Sequence, residues 1–337
     1  MNDDIGISSV RAEGPTAAMI SAVARAKVLL GSDQPERAMD LLGVAAKQGD
    51  PEALEMLAEM ALNGKVVVRD LALSRNLYAR AMQAGSASAA TAYRAFVANG
   101  TGGPADWREA LRLLDEAAPN DPQAEEDRVI IAEMELGPDG GPCGMFENES
   151  LSRFPDIRLF PRLFSQMECD FLIHRSRPLL HPSVVVDPRT GEQIPNPVRT
   201  SHSSFYPLLA ESPGVHALCR RLAAASGTLV EQGEPLQVLR YSPGQEYRPH
   251  FDAIANETNQ RVMTFLVYLN DDYEGGETEF LATGLKIKGR TGDGLLFRNA
   301  DACGIPDSQS RHAGLPVLKG EKYLASRWIR ERPILSS

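Results

Sequence analysis

Apolar residues recur at helical spacing from about residue 16 to 136, in a stretch rich in Ala and Leu with few β-branched runs. That half of the chain is predicted to be helical. The pattern also repeats with a period of 36: Gly49 aligns with Gly85, Gly64 with Gly100 and Asp70 with Asp106. The register holds inside the helices, where Leu41, Leu77 and Leu113, and likewise Ala45, Ala81 and Ala117, mark recurring packing positions. Small residues there let neighbouring helices approach closely. Each unit reads as two antiparallel helices, for example Pro51 to Asn63 and then Leu71 to Ala84, separated by a Gly-containing turn, and such units stack into a solenoid.

The helical pattern stops at "GPDGGPCG", residues 137–144, where the density of Gly and Pro cannot continue a helix. The expected organisation is therefore a repeat domain over 1–136, a linker over 137–150 and a second domain over 151–337. Ser165 followed by Glu168 is a capping-box signature for a helix reaching about Ser176. A second helix is predicted from Ser212, with Pro213 in its first turn, to near Gly227, again with the expected caps. From Pro235 onward the apolar residues gather into short runs of Val, Leu, Phe and Tyr: "LQVLRY", "RVMTFLVYLN", "GETEFL", "LKIKG", "GLLFRN" and "KYLASRWIRE". Gly, Asn and Asp separate them, as expected for an antiparallel sandwich or barrel. The fold class is thus α+β multidomain, an α-helical repeat solenoid followed by a β domain with flanking helices.

Composition narrows the function classes. With 43% hydrophobic and 24% charged residues the chain is an ordinary globular one. Its formal net charge of −10 argues against nucleic acid or an anionic membrane surface as the main partner. Cys143, Cys169, Cys219 and Cys303 form no CxxC pair and no disulfide framework, so a reducing cytoplasm is expected. The start, Met-Asn-Asp-Asp, lacks the basic-then-apolar pattern of a secretory signal, and no apolar stretch is long enough to span a bilayer.

The candidate chemistry lies in "YSPGQEYRPHFDAI". His250 and Asp252 are two residues apart, so on an extended strand both would face one side. His312 follows near the other end of the β region. Two His and one carboxylate on one face of an octahedron leave three positions open, enough for a bidentate 2-oxoacid and O2 on Fe(II). Alone, an HxD pair is common and is often a mere surface pair. Lys322, ten residues after His312, shares a strand face with Leu324, Ser326 and Trp328 when counted by twos. A buried ammonium there would pair with a carboxylate, although most lysines are simply exposed. His174, His181, His202 and His216 have no partner at ligand spacing and read as structural or exposed.

Together the blocks "SQMECDFLI", "NPVRTS", "EPLQVLRYSPGQEYRPHFD", "RVMTFLVYLNDDYEGGETEF", "GDGLLFRN" and "HAGLPVLKGEKYLASRWIRE" resemble the prolyl 4-hydroxylase family of Fe(II)/2-oxoglutarate dioxygenases, from about Phe160 to Pro333. The resemblance implies a double-stranded β-helix, or jelly-roll. It implies that His250, Asp252 and His312 ligate iron and that Lys322 binds the far carboxylate of 2-oxoglutarate with Tyr241 and Thr278. It places Arg261, Tyr247 and Trp328 near the substrate, and Arg199 near the site without a defined role. Fe(II), 2-oxoglutarate, O2 and ascorbate are the cofactors it implies. Asp252 is a carboxylate, whereas related halogenases vacate that position for chloride. Ala253 and Ile254 depart from the aromatic frequent in the family, and the loop after Asp252 is short, which leaves the substrate entrance open. The segment from Gly49 to Gly85 is similar to Sel1-like repeats, relatives of the tetratricopeptide repeat that usually bind proteins. Three functions are compatible with these residues: a prolyl hydroxylase whose repeats recruit a protein or peptide, a hydroxylase of a free amino acid or small metabolite, and a repeat scaffold carrying a degenerate oxygenase fold.

Overall fold

A computed structural model describes residues 21–186, 193–195, 198–301 and 303–334. The chain's start, and with it the expectation about a secretory signal, lies outside them, as do Asn196 and Pro197 of "NPVRTS". The chain forms two compact units, one ending at Tyr93 and the other beginning at Arg94.

Among the described residues, seven helices make up the N-terminal part: α1 (Ala22–Gly31), α2 (Pro35–Lys47), α3 (Pro51–Asn63), α4 (Leu71–Gln83), α5 (Ala87–Asn99), α6 (Trp107–Ala117) and α7 (Pro122–Glu133). The 36-residue register is visible in their ends. Asp70 caps α4 by accepting from the Leu73 amide at 2.8 Å, and Asp106 caps α6 by accepting from the Glu109 amide at 2.9 Å. The Gly64 and Gly100 amides donate to Met60 and Phe96, and both glycines take positive φ. Within α4, Leu77 and Ala81 are buried, as the repeated packing positions require.

The second unit carries strands β1 (Glu149–Arg153), β2 (Asp156–Phe160), β3 (His181–Pro182), β4 (Val184–Val186), β5 (Gln193–Pro195), β6 (His202–Tyr206), β7 (Leu236–Tyr241), β8 (Tyr247–His250), β9 (Arg261–Tyr268), β10 (Glu274–Gly275), β11 (Thr278–Phe280), β12 (Leu285–Ile287), β13 (Gly294–Arg298), β14 (His312–Gly314), β15 (Val317–Lys319) and β16 (Lys322–Arg330). A large antiparallel sheet runs β1-β2-β13-β9-β16-β7-β6-β3, and a smaller one runs β12-β11-β14-β8. Leu239, Leu266, Phe297 and Leu324 of the large sheet pack with Phe280 and Ile287 of the small one, so the core lies between two sheets, as in a jelly-roll. Nearly every residue of β16 is buried, which requires cover on both faces of the large sheet. The outer cover comes from α8 (Gln166–Ser176) and α9 (Pro213–Ser226); Arg327 of β16 donates to the Cys219 carbonyl of α9 at 2.9 Å.

The predicted capping box of α8 is present, with Ser165 and Glu168 each accepting from the other's amide. Ser212 does not cap α9 with its own side chain. Its hydroxyl donates instead to buried Asp127 of α7 at 2.7 Å, and the same Asp127 oxygen accepts from the Gly214 amide, so the cap is supplied from another helix. Arg175 of α8 completes this cluster, 3.2 Å from Asp127. These contacts tie α7 to α8 and α9, within the unit that begins at Arg94. The Gly/Pro segment beyond α7 is likewise held. Gly140 has φ 77° and lies against Trp107 of α6, where an added Cβ would meet the ring at 2.3 Å. Arg220 of α9 pairs with Asp139 at 2.8 Å.

Candidate metal centre and its pocket

Strand register brings the two histidines together. His250 ends β8 and His312 begins β14, and they are direct cross-strand partners. Asp252 is not on an extended strand with His250, because β8 stops at His250; a bend after the strand returns its carboxylate to the pair. His250 Nε2 lies 3.6 Å from Asp252 Oδ1, and His312 Nε2 lies 3.7 Å from Asp252 Oδ2. One ligand atom from each of the three residues falls within 4.8 Å of the others, the grouping a metal ion requires.

The surroundings fix both the tautomers and the charge. His250 Nδ1 sits 2.8 Å from the Arg248 carbonyl and His312 Nδ1 sits 3.0 Å from the Ser310 carbonyl. A carbonyl only accepts, so each Nδ1 carries the proton and each Nε2 lone pair faces the carboxylate. Burial pulls the His312 pKa down to about 4 despite the opposing charge of Asp252. Burial alone would raise Asp252, but the two imidazoles and the Thr264 hydroxyl outweigh it and hold this carboxyl well below its usual range. Neutral imidazole and ionised carboxylate are the forms that bind a divalent cation, and this donor set suits iron. Tyr247 stacks on the His250 ring at 3.4 Å and 14°.

A cavity opens beside the triad. Lys322, Leu324, Ser326 and Trp328 all line it, as counting by twos along β16 predicts, and Tyr241, Tyr247 and Thr278 line it too. Lys322 is 2% exposed, so its ammonium is not a surface charge. It donates to the Gly276 carbonyl at 2.7 Å and lies 5.6 and 5.5 Å from the Tyr241 and Tyr268 rings. Thr278 accepts from the Tyr268 hydroxyl at 3.0 Å.

Arg261 is held by partners within the chain. Its Nε and Nη2 bind Glu234 at 2.6 and 2.8 Å, and its guanidinium lies 3.7 Å over the Trp328 ring, so it braces the cavity wall. Arg199, left without a role by the sequence, lines the cavity, donates to Gln237 at 2.9 Å and lies 5.5 Å from the Tyr247 ring. Two further residues had no signal in the sequence. Thr264 donates to Asp252 Oδ2 at 2.6 Å, and Asn299 donates to Thr264 at 2.7 Å. Both read as ordinary strand residues, and only the pairing of distant segments shows what they touch. The remaining histidines have other settings: His216 pairs with Glu211 at 2.6 Å, and His174 lies 3.3 Å from Glu126.

Comparison with known proteins bears on this site. The family model of the 2OG-Fe(II) oxygenase superfamily matches residues 236–330, which contain the whole triad and Lys322. Prolyl 4-hydroxylase 1 of Arabidopsis thaliana is 38% identical over 208 residues, covering 56% of this chain and 74% of the relative. Probable prolyl 4-hydroxylase 10 of the same plant is 34% identical, covering 54% and 71%. Among solved structures, the viral collagen prolyl hydroxylase of Paramecium Bursaria Chlorella virus-1 is 29% identical, covering 52% of this chain and 96% of its own, with a TM-score of 0.42. A Sel1 repeat protein from Oxalobacter formigenes is 26% identical over 32% of this chain and 85% of its own, with a TM-score of 0.30.

Proposed function

The chain belongs to the prolyl 4-hydroxylase family of 2OG-Fe(II) oxygenases and is a dioxygenase; from that premise we propose that it hydroxylates prolyl residues of a protein or peptide, with His250, Asp252 and His312 holding the iron. The observation that carries this reading is the convergence of two Nε2 lone pairs and one carboxylate beside a cavity that contains a buried ammonium. When bound, iron with 2-oxoglutarate and O2 supplies the oxidising chemistry that a protein side chain cannot.

What the chain's own residues do can be derived. Lys322 would pair with the far carboxylate of 2-oxoglutarate, with Tyr241 and Thr278 beside it in the cavity wall. The aliphatic side chains of Leu239, Leu266 and Leu324 also line the cavity and would help to exclude water from it. Tyr247 and Trp328 offer flat faces to a proline ring, and Arg261, held by Glu234, fixes the plane of Trp328. Ascorbate would keep the iron reduced after uncoupled turnover. The helical repeats recruit the target; exposed Val28, Val44, Val68 and Leu73 supply apolar contact points. The four free cysteines fit residence in the cytoplasm, and no helix among the described residues is long and apolar enough to cross a membrane.

The test is a succinate-release assay with Pro-containing peptides and with free amino acids, run on the wild type and on His250→Ala. Peptide-stimulated turnover that disappears in the variant is expected. Stimulation by a free amino acid or small metabolite alone would overturn the prolyl reading and favour a small-molecule hydroxylase.

A further inference from the structure

We propose that Thr264 and Asn299 form a one-way hydrogen-bond relay that selects which oxygen of Asp252 faces the metal, making Thr264 a positioning residue of the site. The proposal rests on the reading of Asp252 as an iron ligand.

The direction of the relay follows from donor and acceptor counting. An ionised carboxylate only accepts, so the contact of 2.6 Å between Thr264 and Asp252 Oδ2 uses the single hydroxyl proton. The hydroxyl oxygen must then accept from whatever faces it next, and Asn299 Nδ2 lies there at 2.7 Å. That choice turns the amide oxygen of Asn299 away, and it is buried without a hydrogen-bond partner among the described residues. Leaving a buried acceptor unmet is unfavourable, and a Ser, Val or Ala at this position would avoid it. The structure therefore keeps a destabilising feature whose visible return is a stronger donor at Asp252, since each bond in such a chain polarises the next.

Placement supports a positioning role. Thr264 lies on β9, paired with Phe297 of β13 on one side and Trp328 of β16 on the other, so its side chain projects from the interior of the large sheet rather than from a flexible loop. Thr264 and Asn299 are 1% and 0% exposed. Asp252 has no strand of its own, and the hydroxyl anchors the bend that carries it. Oδ2, 3.7 Å from His312 Nε2, accepts the Thr264 proton, and that bond biases Oδ1, 3.6 Å from His250 Nε2, toward an ion.

The test uses the full-length apo protein and reads metal affinity, by anaerobic calorimetric titration with Fe(II) and with Mn(II) as a redox-inert probe. Thr264→Val, which keeps the shape and removes the donor, should weaken binding by about 10- to 100-fold, and Thr264→Ser should restore it. Asp252→Ala is the control for the underlying reading. If T264V stays within about twofold of wild type while D252A loses the metal, the relay is overturned and the ligand stands. If D252A itself binds as wild type does, the iron-ligand reading falls instead. Should T264V fail to fold, Asn299→Ala carries the test, because it leaves the Thr264–Asp252 bond in place and removes only its reinforcement. Weakening smaller than that expected of T264V supports the relay, and wild-type affinity overturns it.

Discussion

If Lys322 pairs with 2-oxoglutarate as proposed, it sets a pH limit on this site. Burial lowers its pKa to about 8, with the charge of Glu277 working in the opposite direction. A carboxylate partner needs the protonated amine, so affinity for 2-oxoglutarate should be flat below about pH 7 and fall about tenfold per pH unit once well above pH 8. An anaerobic binding series from about pH 6.5 to 9.5 would show this break, and a flat profile would remove Lys322 as the partner. The same group acts on stability with the opposite sign. The unfolded lysine keeps its proton up to about pH 10.4, so between about pH 8 and that value the unfolded state binds more protons and this residue's contribution to folding rises with pH. The strand face that Lys322 shares with Trp328 was legible from sequence because alternation along a strand is strict, whereas the residue's expected role came only from the family resemblance. Thr264 was illegible for the converse reason: its role depends on the register of β9 against β13 and on a bend after β8, none of which leaves a local pattern.

Among the elements, the helix junction at Asp127 gathers contacts from two other helices onto one buried side chain. This carboxylate serves Arg175, Ser212 and the Gly214 amide at once, and burial raises its pKa to about 6 against the pull of Arg175. Asp127→Ala would take one of two carboxylates from Arg175, which keeps Glu126 at 3.3 Å, and leave α9 uncapped, so a loss of about 1–3 kcal/mol is expected, read as a lower midpoint in urea unfolding. An unchanged midpoint would show that water replaces the carboxylate. The sequence announced α3, α4, α8 and α9 nearly to the residue, because Pro at the first turn, Ser or Asp before it and Gly after it are backbone signals. It misassigned the cap of α9, because Ser212 looks the same whether its hydroxyl turns back to its own helix or across to α7.

For the whole molecule, the expected boundary after residue 136 and the observed compact units lead to different truncations. Residues 145–337 lack α6 and α7, exposing the faces of α8 and α9 that Asp127 and Ile130 cover. That fragment should be insoluble or lose its cooperative transition, whereas residues 87–337, which keep α5 whole, should fold and retain turnover on short peptides. Circular dichroism melts of the two fragments would decide, and a stable 145–337 fragment would restore the sequence-based boundary. Recruitment by the repeats would then appear as a defect of residues 87–337 confined to large protein targets. The Gly/Pro composition behind the expected boundary reports what a backbone can do, and not what it rests against. The segment's attachment to Trp107 and Arg220 also carries a historical implication. A gene fusion joined at that segment would separate α9 and the turn from their support, so recombination that yields a working hybrid should cut upstream, among the repeats, where successive turns are interchangeable.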